Sequence, residues 1–330
     1  MRYLPIIGLF IPFLLSGQVG GSSGYQMANV VTNARTAALA GTSISINDGD
    51  ISQFFENPAI LDSVKKGSIF FTINPYFANV SSYTGAYAFE MKKLGVVAIG
   101  LNYLNFGSFD ATDATGNLTG TFNANDYVLS LGKAHRLGPV VLGINLKLAH
   151  SSIENFSSTS VIGDIGGTFD VSKNWTLGMV FSNIGGVVSN YNELTKETIP
   201  FDVKVGTSFK PEYMPLKFTI TTLNLVNRNV VNESDGQGRS NNQVDKVMRR
   251  VNFGVELLLS KNFQVLFGYN HKRKQELKLD EIGGGAGFSY GLMLGIKQFS
   301  VRFSRATYHA AGGTSFISVQ TNLNDFKKIL

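Results

Sequence analysis

The chain has 330 residues, of which 43% are hydrophobic and only 16% charged, with 36 glycines, 25 phenylalanines, 8 prolines and no cysteine. Soluble domains carry about a quarter charged residues, and the lack of cysteine excludes a disulfide framework, a lipoprotein anchor and thiol chemistry. The formal charge of +6 does not indicate nucleic-acid binding, because the basic residues are dispersed over turns, loops and strands instead of forming a stripe.

Residues 1–17 read as a secretory signal peptide. Arg2 gives the positive start, and Leu4 to Leu15 supply an apolar run too short to cross a bilayer as a helix. Ser16-Gly17 offers a small residue for cleavage, with Gln18 as the expected mature start. Residues 18–66 form a second unit without strong periodicity, rich in small residues such as Ala34, Ala37, Ala38, Ala40 and Gly41. A mean hydropathy of +0.06 leaves no set of long apolar helices to be found downstream.

From residue 67 to 330 the pattern is that of strands, with apolar and polar residues alternating at period two. Phe263, Val265, Phe267 and Tyr269 share one face, opposite Gln264, Leu266, Gly268 and Asn270. Leu142, Ile144, Leu146 and Leu148 likewise oppose Gly143, Asn145 and Lys147. Fourteen such segments are expected, at about 68–76, 82–90, 95–105, 126–134, 139–150, 161–170, 175–183, 201–210, 216–226, 249–259, 262–271, 284–296, 298–308 and 313–322. The connections alternate in length through the middle of the chain. Short ones fall at 91–94, 135–138, 171–174, 211–215, Lys261 and Lys297, and long ones at 106–125, 151–160, 184–200, 227–248 and 272–283. Short turns on one side and long loops on the other are the habit of a transmembrane antiparallel β-barrel, which must close because lipid cannot satisfy an open edge. The fold class expected is therefore all-β, a barrel of about 14 strands in the outer membrane. Both termini are expected on the periplasmic side, and outer-membrane lipid is the surrounding partner.

Signs of catalysis are missing. The four histidines, His135, His150, His271 and His309, show no metal-ligand spacing, so no metal or cofactor is expected. The glycines at 283, 285 and 287 precede a strand rather than the helix that a nucleotide fingerprint must open. Charged residues on the expected inward faces are Asp126, Lys147, Lys204, Glu256 and Arg302. They allow two readings, an internal ion-pair network that fills the barrel, or a functional polar conduit or binding site. In either case charge in a membrane strand should face inward, since lipid exposure of Lys or Arg costs about 2–4 kcal/mol.

The residues Ala34-Arg35-Thr36-Ala37-Ala38-Leu39-Ala40-Gly41, then Ile44, Asp48 and Asp50, then Asn57-Pro58-Ala59-Ile60-Leu61, resemble the start of the PorV/PorQ family of the type IX secretion system of Bacteroidetes, with PorQ the nearer. That family looks like a relative of the FadL-type transporters, with which it shares the Asn57-Pro58-Ala59 element. The resemblance implies that residues 18–66 plug a fourteen-stranded barrel. It also implies a non-enzymatic role, anchoring a surface attachment complex and binding a PorZ-like surface protein through long extracellular loops. The wider superfamily implies an alternative, a FadL-like transporter of hydrophobic small molecules. Ala40 departs from the pattern, where a second glycine beside Gly41 is expected.

Overall fold

The computed structural model describes residues 25–76, 80–192, 197–226, 243–277, 285–309 and 312–326. The expected signal peptide and the first residues after it lie outside this set. Fourteen strands follow one another around a closed barrel, each antiparallel to its chain neighbours, with β1 pairing β14 to complete the ring. They are β1 Ser68–Pro75, β2 Ser81–Met91, β3 Gly95–Thr112, β4 Leu118–Leu137, β5 Val140–Ile153, β6 Phe156–Ser172, β7 Trp175–Ser189, β8 Asp202–Phe209, β9 Leu216–Thr222, β10 Val251–Leu258, β11 Phe263–Asn270, β12 Phe288–Ile296, β13 Phe299–His309 and β14 Gly312–Asn322. The count agrees with the sequence pattern, and most boundaries fall within a few residues of it.

The alternation sorts the two faces. On β5, Leu142, Ile144, Leu146 and Leu148 are exposed on the outside, whereas Val141, Gly143, Asn145, Lys147 and Ala149 are buried. The same holds around the ring, so an apolar band encircles the barrel, as a sheet in lipid requires. No helix among the described residues is long and apolar enough to cross a membrane; the strands make the crossing.

Two of the expected long loops are strand. Residues 106–125 and 151–160 extend the hairpins β3–β4 and β5–β6, giving strands of 18 and 20 residues at β3 and β4, about twice the length that spans a bilayer. Their outer halves turn polar on the outward face, with Asp110, Thr121, Asn123, Ser152 and Thr159, which erases the period-two signal without ending the ladder. The β3–β4 turn is closed by Asp113, whose carboxylate accepts from the backbone N–H of Thr115 and Asn117, both at 2.9 Å. These bonds, led by the one from the Thr115 hydroxyl, bring its pKa down to about 2. By contrast β8 and β9 have only 8 and 7 residues. The wall is thus raised over β3–β7 and low over β8–β13. Two short helices, α2 (Gln243–Met248) and α3 (His271–Glu276), sit in the β9–β10 and β11–β12 connections.

Residues 25–66 pack inside the ring. They contain a one-turn helix, α1, at Ala34–Ala38 and 3-10 turns at Ile51–Phe55 and Pro58–Asp62. Each begins at a side-chain cap: Asn33 accepts from Thr36 N, Asp50 from Ser52 N and Asn57 from Ala59 N. Tyr25 meets Ser158 near the β5–β6 turn, at the long-connection end. Lys66 and Asn322 meet at the short-turn end.

Candidate functional site

The interior segment is seated on glycines. At the inward glycines of the strands, an added Cβ would collide with it. Gly143 and Gly166 receive Pro58, Ala59 and Asn57; Gly178 would place a Cβ 2.6 Å from the Ile44 carbonyl; Gly254, Gly268 and Gly291 receive Ala38, Leu39 and Ala40. Backbone can approach backbone there because no side chain intervenes. Polar groups then fix the register. Asn57 is fully buried and donates to the carbonyls of Ile44 (2.7 Å) and Gly167 (3.2 Å). The Ala40 carbonyl accepts from Asn252 at 3.1 Å and Asn270 at 3.3 Å, while the Ala40 N–H donates to Ser289 Oγ at 3.2 Å. Ala40 has a φ of 71°, a left-handed conformation that favours glycine. The sequence carries a signal for these seats, glycines recurring on the polar face of mid-strand positions, but it does not say what approaches them.

A second set of contacts is ionic. Arg35, buried at 4% exposure, donates to Glu256 through Nε at 2.7 Å and Nη2 at 3.0 Å. It also meets Asp48 at 2.6 Å and Asp50 at 3.1 Å. Lys217 lies 3.0 Å from Asp48, and Arg302 lies 3.1 Å from Asp50. Three cations face three carboxylates, and the cluster joins the interior segment to β9, β10 and β13. Burial opposes every charge in it. For Arg35 the carboxylates of Asp48 and Glu256 overturn that penalty and hold its pKa well above the usual range. Asp50 is held below the usual carboxylate range in spite of burial, by Arg302 and then Arg35.

The five charged residues singled out from sequence all face inward, but they do not form one site. Glu256 and Arg302 belong to the cluster just described. Lys147 pairs with Asp164 at 2.7 Å and donates to Asn183 Oδ1 at 3.1 Å. Asn183 sits at a bulge in the β6–β7 ladder, with its own N–H donating to Asp164 Oδ1 at 2.9 Å. Asp126 accepts from the Ser151 hydroxyl, higher up the raised wall. Lys204 has no ion pair within 4 Å among the described residues and faces Glu56 across a cavity of about 50 Å³. Burial pushes the Glu56 carboxyl up, against the pull of Lys204. The cavity walls include Met27, Val30, Phe55, Val128, Lys147 and Asn183. Sequence reasoning missed Lys217, Asp164 and the pairing of Arg35 with Asp48. Among the described residues, no group of three or more His, Asp or Glu could hold a metal ion.

Directly above the cavity the inner wall carries an apolar patch. Leu104, Val128, Ala149 and Ile162, from β3, β4, β5 and β6, bury against Tyr25 and Met27, with Phe106 and Val187 packed beside them. The register of β3 shifts between Asn105 and Ser108. Beyond this bulge Phe109 pairs with Phe122 of β4, their rings stacked at 5.4 Å. Phe122 shares its face with Ala124, Asp126 and Val128, so apolar side chains resume on the inside of the raised wall beyond the Asp126–Ser151 contact. Porin lumens are polar; this one carries apolar patches along one side.

These features define a closed membrane barrel with an interior segment, a buried ion cluster on one side and an apolar inner wall on the other. Solved structures share the fold. The toluene transporter TbuX of Ralstonia pickettii matches at 12% identity, over 89% of this chain and 99% of its own, with a TM-score of 0.52. The toluene transporter TodX of Pseudomonas putida matches at 10% identity, over 88% and 98%, with a TM-score of 0.51. A FadL homologue of Pseudomonas aeruginosa is similar at 10% identity over 88% and 98%, with a TM-score of 0.48. No protein-family model matches the sequence, and no curated protein matches it.

Proposed function

We propose that the protein is a non-enzymatic outer-membrane barrel that admits small hydrophobic molecules along the apolar inner wall of β3–β6. The observation that carries this reading is the pair of apolar patches on one inner wall, Leu104 and Val128 against Met27 below and Phe109 stacked on Phe122 above, separated by Asp126 and Ser151; a water-filled pore does not need such patches. The neighbours named as toluene transporters support it, since the chain matches nearly their whole length. A molecule entering from the long-connection end would lie against this wall and reach the cavity beside Met27. That cavity, at about 50 Å³, holds little more than a water molecule, so onward movement requires the stretch Met27–Val30 to shift.

The test is uptake of radiolabelled toluene and of a long-chain hydrocarbon by cells carrying the barrel. Wild type raises uptake over the empty host, and Phe109→Glu with Phe122→Glu lowers it several-fold while the barrel still assembles. Unchanged uptake in that variant would refute the reading.

The type IX secretion reading is the alternative, and two observations favour it: the interior segment is bolted by the buried ion cluster, and the wall rises over β3–β7. There the protein would anchor the attachment complex and hold a PorZ-like surface protein on its outer rim. Co-purification of surface secretion components from detergent extracts, with no hydrocarbon uptake, would decide for it. Of the long connections 184–200 and 227–248, residues 193–196 and 227–242 lie outside the described residues, and 184–189 continue strand β7.

A further inference from the structure

The two ends of the barrel differ in charge, and the short-turn end carries a feature that transport does not use. Five of its six hairpin turns hold lysine: Lys92 and Lys93 between β2 and β3, then Lys173, Lys210, Lys261 and Lys297 at the following short turns apart from β4–β5. All six side chains are exposed, and among the described residues none is in an ion pair. Two other cations at this end are matched, Lys66 with Glu90 and Arg136 with Asp62 and Asp170, while Lys65 adds a further exposed ammonium. Glu212 is the one carboxylate on these turns. The opposite end has the reverse character over the raised wall. Asp110, Asp113 and Asp126 occur between Leu94 and Gly132 without a single Lys or Arg.

The lysines also stand at a particular height. Each follows or precedes, by one or two residues, an outward apolar side chain that closes the lipid-facing band: Leu94, Trp175, Phe209, Leu259 and Ile296, all more than 40% exposed. One or two residues of extended chain is about 3–7 Å, the step from the hydrocarbon edge to the phosphate level. A flexible ammonium at that step reaches lipid phosphates while its stem stays against apolar surface.

We infer that the short-turn end binds anionic phospholipids, with Lys92, Lys93, Lys173, Lys210, Lys261 and Lys297 forming a ring that holds the headgroup phosphates of the adjoining leaflet. This inference rests on the membrane reading of the barrel but on neither transport nor scaffolding. It predicts an annulus of negatively charged lipid at one face only, held by charge and weakened by salt.

The experiment is native mass spectrometry of the full-length barrel released from nanodiscs that mix phosphatidylcholine with phosphatidylglycerol. Wild type should emerge with phosphatidylglycerol enriched over its bulk share. Replacing the six lysines by glutamine should cut that enrichment roughly tenfold or more, since each basic residue near an anionic surface contributes measurably. The six-fold Lys→Arg variant should retain it, and so should a variant carrying Lys246→Gln, Lys272→Gln and Lys274→Gln at the other end. Heat-modifiable gel mobility reports whether each variant is a closed barrel. Enrichment equal in wild type and in the folded glutamine variant, or none in wild type, overturns the inference. Failure of wild type to insert into phosphatidylcholine nanodiscs would instead sink the membrane reading, and this inference with it.

Discussion

Glu256→Gln isolates what the ion cluster contributes. The wild-type carboxylate is fully buried and accepts two bonds from Arg35, at 2.7 and 3.0 Å, with Lys217 Nζ a further 3.8 Å away. Removing its charge leaves three cations, Arg35, Lys217 and Arg302, against Asp48 and Asp50, an uncompensated positive charge in the interior. Breaking a buried pair in this way costs about 3–5 kcal/mol. Asp48, at 37% exposure, still faces both Arg35 and Lys217, so the lower end of that range is expected. The loss falls on docking of the interior segment, because the strand ladders are untouched. Hydrogen exchange in a reconstituted barrel reads it: about 3 kcal/mol corresponds to roughly 100-fold faster exchange over residues 34–62, with the strands unchanged. The double variant Glu256→Gln with Lys217→Met restores equal charge, two against two, and should regain at least about 1 kcal/mol of the loss. Unchanged protection in the single variant, or a double variant worse than the single, would refute the reasoning.

Three further outcomes follow from the same geometry. Because Asp50 titrates below its unfolded value, the stability it contributes is complete above the unfolded carboxylate pKa of about 3.9 and is lost as pH falls through the lower folded value. Exchange over residues 34–50, corrected for the intrinsic rate, should therefore rise as pH falls below about 4. Gly268→Val should undock the Ala38–Gly41 turn, since even a Cβ would lie 2.5 Å from Ser289 Oγ and closer still to the segment backbone; Ala40→Gly should instead stabilise it by about 1 kcal/mol, relieving the left-handed conformation. The pair has opposite signs, and segment protection measures both. Tyr25→Ala with Met27→Ala should widen the cavity and raise hydrocarbon uptake, whereas an unchanged or lower uptake would place the path elsewhere.

Much of the fold is legible in the sequence because lipid and lumen impose opposite demands on alternate residues. That is why Leu142 to Leu148 and Phe263 to Tyr269 stand out, and why the strand number emerges. The outer halves of β3 to β6 do not, since polar residues on the outward face remove the contrast between odd and even positions that lipid imposes lower down. The helices α2 and α3 are hidden for a different reason: at 6 residues each, neither is long enough to establish a 3.6-residue period. The inward position of Lys147, Glu256 and Arg302 follows from strand parity alone. Their partners do not, because Arg35, Asp48 and Asp50 lie in a segment without periodicity, and ion pairing there depends on how that segment folds back through the ring. The bulge at Asn183 is likewise invisible, yet it inverts the alternation along the rest of β7.

The interior segment is held unequally, and the inequality bears on how a filled barrel could still conduct. From Asn33 to Asp62 it rests on glycine seats and on the ion cluster, contacts whose rupture costs several kcal/mol each. From Tyr25 to Val30 it is held by the Tyr25–Ser158 bond, the bond from Asn183 to Asn29 and apolar packing, each about 1 kcal/mol or less for a neutral hydrogen bond. The weakly held stretch is the one against the apolar wall and the cavity, whereas the ion cluster lies across the lumen on β9, β10 and β13. An apolar ligand replacing Met27 against Leu104 and Val128 would restore the burial it displaces. Passage would therefore require movement of about six residues and leave the bolted part in place, so a fixed segment and a conducting barrel are compatible in the same structure.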